Sequence, residues 1–342
     1  MSNQDNVSEL VQLINIKEGI LGEKNFNTKM SALLRQAAAE SIVLLENEGV
    51  LPLKAQSKLA VFGRSQIDYF YVGYGSGGEV NPPYLVNVIQ GLEEKNLLLN
   101  NVLIKKYQTF SANNIVDDGI WGQWPRFLEE MTLSNEEVKS ASEDSEIALI
   151  VIGRAAGEDR ENVLEEGSYY LTQKEKQMID QVTHYFEKVV LVINSGNVID
   201  LSWTENYAFS AILFAWQGGM ESGNAIADVL MGDVNPSAKL PDTIARHYED
   251  YPSAKQFGHK EYVEYVEDIY VGYRYFETFH PEKVIYPFGY GLSYTQFAMD
   301  SELLVNDKSV TINVSVTNIG EMPGKEVVQV YHEPPQGKLG KP

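Results

Sequence analysis

The chain has 342 residues, 44% of them hydrophobic, enough to bury at least one large core and to form roughly one to three domains. Its 48 Asp and Glu against 27 Lys and Arg leave a net charge of −21, which repels nucleic acid and anionic membrane surfaces and makes a neutral partner the expectation. With no cysteine and no His-x-x-x-His pair among five histidines, disulfides and thiolate metal sites are excluded, and neither metal nor cofactor is expected.

Met1 to Leu13 is polar and acidic, unlike a signal peptide, and no apolar run approaches the ~20 residues of a membrane span, so a cytoplasmic location is expected. Helical spacing over residues 8–21 and 29–48 predicts two opening helices, the second with Leu33, Leu34, Ala37, Ile42, Leu44 and Leu45 largely on one side and Gly49 as its stop. Almost continuously apolar runs follow at Leu59–Gly63, Val102–Lys105, Ile147–Gly153, Val189–Asn194 and Ala211–Trp216, the texture of strands covered on both faces. Amphipathic stretches at 85–95, 134–143, 172–186 and 220–231 separate them. This βαβα order predicts an α/β fold, a doubly wound, mainly parallel sheet, over residues 1–300. Ligands of such sheets bind beyond the carboxyl ends of the strands, which points to the segments after Gly63, Gly153, Asn194 and Trp216.

From about residue 301 the texture changes. Thr311–Thr317 alternates with period two, Asn318–Gly324 is turn-like and Glu326–His332 reads as a second β run. An immunoglobulin-like sandwich needs about seven strands and ~100 residues. The 301–342 segment is therefore expected to be an incomplete β-sandwich, cut short or completed by another polypeptide.

The third strand run ends in Gly153-Arg-Ala-Ala-Gly157-Glu158-Asp159-Arg160-Glu161-Asn162, a charge cluster where a buried strand gives way to a loop. Hydrolysis of a glycosidic bond needs one carboxylic acid to protonate the leaving oxygen and a second carboxylate to attack the sugar or activate water. Glu158 could be the acid if burial or Asp159 raised its pKa, while Arg154 and Arg160 would lower it; a solvated ion-paired loop is the plainer reading of the same residues. Gly73-Tyr-Gly75-Ser76-Gly77-Gly78 fits a nucleotide-binding glycine pattern, but Pro82-Pro83 separates it from the next helix and Glu93 and Glu94 fall inside that helix instead of ending a strand. Trp121 and Trp124 could offer flat platforms to a sugar or aryl ring, or simply fill a core, and Trp203 and Trp216 read as packing residues beside strands. No Gly-x-Ser-x-Gly elbow supports an esterase.

Gly157-Glu158-Asp159-Arg160 followed by Gly167-Ser-Tyr-Tyr-Leu171 resembles the acid/base loop of glycoside hydrolase family 3. Trp216-Gln-Gly-Gly219, Ala227-Asp-Val-Leu230, Gly232-Asp-Val-Asn-Pro-Ser237, Lys239-Leu-Pro241, Asp268–Tyr275 and Tyr286–Tyr294 are similar to the conserved run of that family's α/β-sandwich domain, in the same order. Val316–Gly320 with Gly324–Tyr331 looks like the opening of its fibronectin type III-like domain.

The resemblance implies a retaining, exo-acting β-glycosidase of the β-glucosidase kind, in which Glu158 is the general acid/base. It implies an aspartate nucleophile on a barrel domain, ~5–5.5 Å from Glu158. Many members have two further residues between the glutamate and the Asp-Arg pair, which leaves Glu161, Glu165 and Glu166 as alternatives. By the same resemblance Ser76, in a Gly-Ser-Gly loop, reaches the bound sugar; Arg160, and Trp121 and Trp124 as aromatic platforms, are expected as further substrate contacts. The implied partners are a β-glucoside or related small saccharide and a barrel domain or barrel-bearing chain. A non-catalytic module that binds carbohydrate or docks onto a separate barrel is the rival expectation.

Overall fold

A computed structural model describes residues 28–73, 80, 82–115, 127–157, 163–257, 259, 261–333 and 335; the helix expected at 8–21 lies outside them. Helix α1 (Thr28–Ser41) buries Ala38 and Ala39 and is followed by strand β1 (Val43–Asn47), which corrects the single helix expected over 29–48. Val43 and Leu45 enter one core while Leu44 enters another. A strand sends successive side chains to opposite faces, and one helical stripe cannot serve both.

Strand β2 (Lys58–Phe62) leads through helix α2 (Val88–Glu93) to a short edge strand β3 (Leu98–Leu99). Val102–Lys105, expected as a strand, lies in helix α3 (Asn101–Asn113), whose start is capped by Asn100 accepting from the Leu103 amide at 3.0 Å. So short an apolar run carries too little period to separate the two states, and the cap decides. Helix α4 (Asn135–Asp144), strand β4 (Ile147–Arg154), helix α5 (Gln173–Tyr185), strands β5 (Val189–Ser195) and β6 (Ala211–Phe214) and helix α6 (Ser222–Met231) follow where the periodicity predicts them.

The sheet runs β1-β6-β5-β4-β2-β3, with β1 antiparallel to β6 and the other pairs parallel. Phe62, Ile150, Ile193 and Phe214 project into a core shared with α4 and α5, and Val61, Leu149, Val192 and Leu213 into one shared with α2 and α6. This is the doubly wound α/β layer expected from the sequence. Helices α2 and α6 touch backbone to backbone, since a Cβ on Gly223 would sit 1.9 Å from the Asn87 carbonyl oxygen.

Beyond α6, strands β7 (Ile244–Ala245) and β8 (Val284–Tyr286) pair antiparallel, with helix α7 (Tyr273–Phe279) between them in the chain. Strands β9 (Phe297–Val305) and β10 (Val310–Asn318) form an antiparallel hairpin that contains the alternating Thr311–Thr317 run. Glu326–His332, expected as a β run, pairs with no strand among the described residues. It lies along the α/β layer instead, held by a Glu326–Lys239 ion pair at 2.9 Å and by the Gln329 amide donating to the Gly289 carbonyl at 3.3 Å. No described helix is long and apolar enough to cross a membrane.

Candidate functional site

The strand order reverses between β2 and β4: the chain leaves β2 for β3 on one side and returns to β4 on the other. Loops leaving the carboxyl ends of two such strands diverge and bound a crevice, the usual ligand position in this architecture. The loop after β2 and the loop after β4 then meet again, because a Cβ on Gly73 would stand 2.9 Å from the Ala156 carbonyl oxygen.

Asn194, fully buried near the end of β5, ties the first loop down. Its Oδ1 accepts from the Phe70 amide at 2.8 Å, and its Nδ2 donates to the carbonyls of Phe70 at 2.8 Å and Trp216 at 2.7 Å. The far side of the same loop is anchored by Tyr84 and Ser31, both donating to Glu221 at the start of α6.

Arg154, the last residue of β4, is 1% exposed. Its Nη1 and Nη2 donate to the two oxygens of Glu175 at 2.7 and 2.8 Å, and its remaining donors reach the carbonyls of Gly153 at 2.8 Å, Ser168 at 3.1 Å and Tyr170 at 3.3 Å. Glu175 also accepts from the Thr172 amide at 2.8 Å and hydroxyl at 3.0 Å, completing the cap of α5. A single guanidinium thus joins the point where the 155–170 loop leaves the sheet to the point where it returns.

Glu130 is buried beneath these loops and accepts from the amides of Arg64 at 2.8 Å and Met131 at 2.9 Å. Burial, with the nearby Glu175 adding to it, pushes its carboxyl up to about 7.

Glu158, Arg160, Ser76, Trp121 and Trp124 all lie outside the described residues, as does Glu161. The chain on either side of them is described, and it converges: Gly73 packs on Ala156 and Gly157, and the Phe127 ring packs where a Cβ on Gly167 would sit, 2.1 Å away. Of the alternatives, Glu166 is exposed and accepts from Gln173, with Lys176 at 3.6 Å; the Gln173 bond holds its carboxyl below the usual range, the wrong direction for a proton donor. The Glu165 carbonyl caps the returning turn by accepting from Ser168 and Tyr170 at 3.2 Å each. Arg154, expected to act on the charge of Glu158, has its own charge met by Glu175. Trp203 packs beside the core and donates to the Asp200 carbonyl at 2.7 Å.

Arg154, Glu175, Asn194 and Glu130 were not anticipated as a group. Two signals were present: an arginine ending an otherwise apolar strand, and Thr172-x-x-Glu175 at a helix start. Nothing in the sequence marks Glu130 or joins it to Arg64.

Beside Gly157, past the ends of β4, β5 and β6, the surface opens into a cleft of about 550 Å³ that Gly196, Asn197 and Trp216 help to line. That is within the ~300–1,000 Å³ usual for small-molecule sites.

A doubly wound sheet with braced loops and a cleft past the ends of β4, β5 and β6 is an α/β layer built to meet a ligand at its strand ends. Residues 42–294 match the glycosyl hydrolase family 3 C-terminal domain, and the chain belongs to that family. It is 47% identical over 304 residues to a β-glucosidase of Ruminococcus albus, covering 89% of this chain and 32% of that protein. It superposes on a β-glucosidase of Paenibacillus barengoltzii with a TM-score of 0.87 at 49% identity, covering 90% of this chain and 35% of the other. On β-glucosidase 3B of Thermotoga neapolitana, solved with glucose, the TM-score is 0.78 at 35% identity, covering 86% and 42%. The chain therefore spans well under half the length of these relatives.

Proposed function

We propose that this chain is the acid/base part of a retaining, exo-acting β-glucosidase, with Glu158 protonating the glycosidic oxygen and an aspartate on a barrel outside these residues attacking the sugar carbon. Ser76 and Arg160 contact the sugar in this reading, and Trp121 and Trp124 face its leaving group. The likeness to β-glucosidases supports the reaction class. The observation that carries the assignment of roles is the Arg154–Glu175 fork. It fixes both ends of the loop that bears Glu158, and an acid must be held to within a fraction of an ångström to work.

The test is aryl β-glucoside hydrolysis by the purified chain, alone and mixed with a separately expressed barrel half. Activity only on mixing, lost in Glu158→Gln, is the expected result. Loss of one member of a catalytic unit costs about as much as loss of all, so turnover by the chain alone would overturn the division of labour.

A second reading, a module that docks onto a barrel without taking part in chemistry, is favoured by the exposed apolar side chains of Phe257, Tyr262, Val263, Tyr265, Val266 and Val271, of which Tyr265 is 90% exposed. Binding to the barrel half without any hydrolysis would select it.

A further inference from the structure

Arg64 opens the loop that leaves β2 and is 4% exposed. A guanidinium is tolerated at such depth only where its donors are met. Its Nε donates to Asp68 at 2.7 Å, four residues along the same loop, its Nη2 to the Asn114 carbonyl at 2.6 Å and its Nη1 to the Glu129 carbonyl at 3.3 Å. The guanidinium carbon lies over the Phe110 ring, 5.4 Å from its centroid. Asp68 is held in turn by the Ser111 hydroxyl, at 2.8 and 2.7 Å from its two oxygens.

Asn114 caps the end of α3 just before the segment that bears Trp121 and Trp124, and Glu129 stands just after that segment. Asp68 belongs to the loop that runs on through Gly73, packed on Ala156, toward Ser76. The Arg64 amide donates to Glu130 at 2.8 Å, and Glu130 lies near enough to Glu175, the partner of Arg154, for the two carboxyl groups to interact. One residue therefore bonds both ends of the 115–128 segment and its own loop, and reaches the brace of the 155–170 loop through Glu130. Arginine suits this junction because its planar fork presents donors in several fixed directions, which a lysine ammonium cannot reproduce.

We propose that Arg64 is a positioning residue of the glycosidase reaction: without touching substrate, it fixes the loop that leads to Ser76 against the segment that bears the leaving-group tryptophans. The inference rests on the proposed function. A clamp of this kind acts on geometry, so its loss is felt in the transition state more than in substrate binding.

The test uses Arg64→Lys, which keeps the charge and loses the fork. Asp68→Asn, on a side chain 28% exposed, is the milder variant and is expected to fold as the parent does. On mixing with the barrel half, Arg64→Lys should lower kcat for an aryl β-glucoside about thirtyfold with KM within about threefold, and Asp68→Asn should lower kcat about three- to fivefold in the same pattern. In the chain alone, both variants should speed hydrogen exchange at the Gly219 amide, which donates to the Tyr71 carbonyl at 2.8 Å and so reports on the far end of the loop. Unchanged kcat per folded molecule beside a lowered melting temperature would make Arg64 a stability residue only and overturn the proposal. A raised KM at unchanged kcat would do the same, as would faster exchange confined to Ile67 and Asp68, whose amides bond the Arg64 carbonyl. No hydrolysis by the parent mixture would sink the proposed function and the positioning role with it; hydrolysis by the parent with kcat unchanged in both variants would sink the positioning role alone.

Discussion

Arg154 and Glu175 form a two-pronged, fully buried ion pair that closes the 155–170 loop into a ring, with nitrogen–oxygen distances of 2.7 and 2.8 Å. Removing one partner leaves the other charged and buried, so Arg154→Met or Glu175→Met alone should cost about 3–5 kcal/mol of stability. The double replacement should recover much of that loss in urea denaturation, because no orphan charge remains. Arg154→Lys keeps the charge and loses the fork, so the amides of Ser168, Tyr169 and Tyr170, bonded within the turn, should exchange hydrogen faster than in the parent. Unchanged exchange in that variant would mean that the turn stands without the brace.

Asn194 is a second single point of attachment. Asn194→Ala leaves the Phe70 amide and carbonyl without their buried side-chain partner and the Trp216 carbonyl with the Tyr69 hydroxyl at 3.4 Å, an expected loss of about 2–4 kcal/mol. Because Trp216 forms one wall of the cleft, its fluorescence should shift toward that of a solvated indole. A melting temperature equal to the parent's would refute the clamp.

Close packing of α2 on α6 gives a third expectation. Gly223→Ala puts a methyl group 1.9 Å from the Asn87 carbonyl oxygen and should cost about 3 kcal/mol, since backbone on both sides must move. Gly49 offers the contrast: its φ of +89° strains any other residue, but a Cβ there meets nothing within 4 Å. Gly49→Ala should cost only about 1 kcal/mol. Similar losses for the two in thermal denaturation would mean that the helix contact is looser than described.

The frame of this fold was legible because parallel strands buried on both faces leave long apolar runs, and Ile147–Gly153 and Val189–Asn194 could be little else. Two elements were misread where a local residue outweighs the pattern. Val102–Lys105 became helix because Asn100 caps it, and residues 43–47 became strand because their apolar residues divide between two cores. The site was legible only as a motif. Gly157-Glu158-Asp159-Arg160 could be placed at a strand end, whereas the pair that braces its loop, Arg154 and Glu175, 21 apart, and the pair that ties down the neighbouring loop after β2, Phe70 and Asn194, 124 apart, come together only through the topology. Long-range polar pairs leave no periodic trace in a single sequence.

Glu130 gives the protein a pH dependence with a definite sign. Its carboxyl titrates near 4.5 when unfolded and at about 7 when buried in the native state. Between those values the unfolded chain has released a proton that the native chain retains, so the native state binds more protons and stability falls as pH rises. The loss begins near pH 4.5, ends near pH 7 and amounts to about 3 kcal/mol for this group. Glu130→Gln removes the titration and keeps an oxygen to accept from one of the two backbone amides. The difference in unfolding free energy between parent and variant should therefore change by that amount across this window and stay level above it. Parallel stability–pH curves for the two proteins would show that Glu130 is ionised in the native state, compensated by its bonds to the amides of Arg64 and Met131.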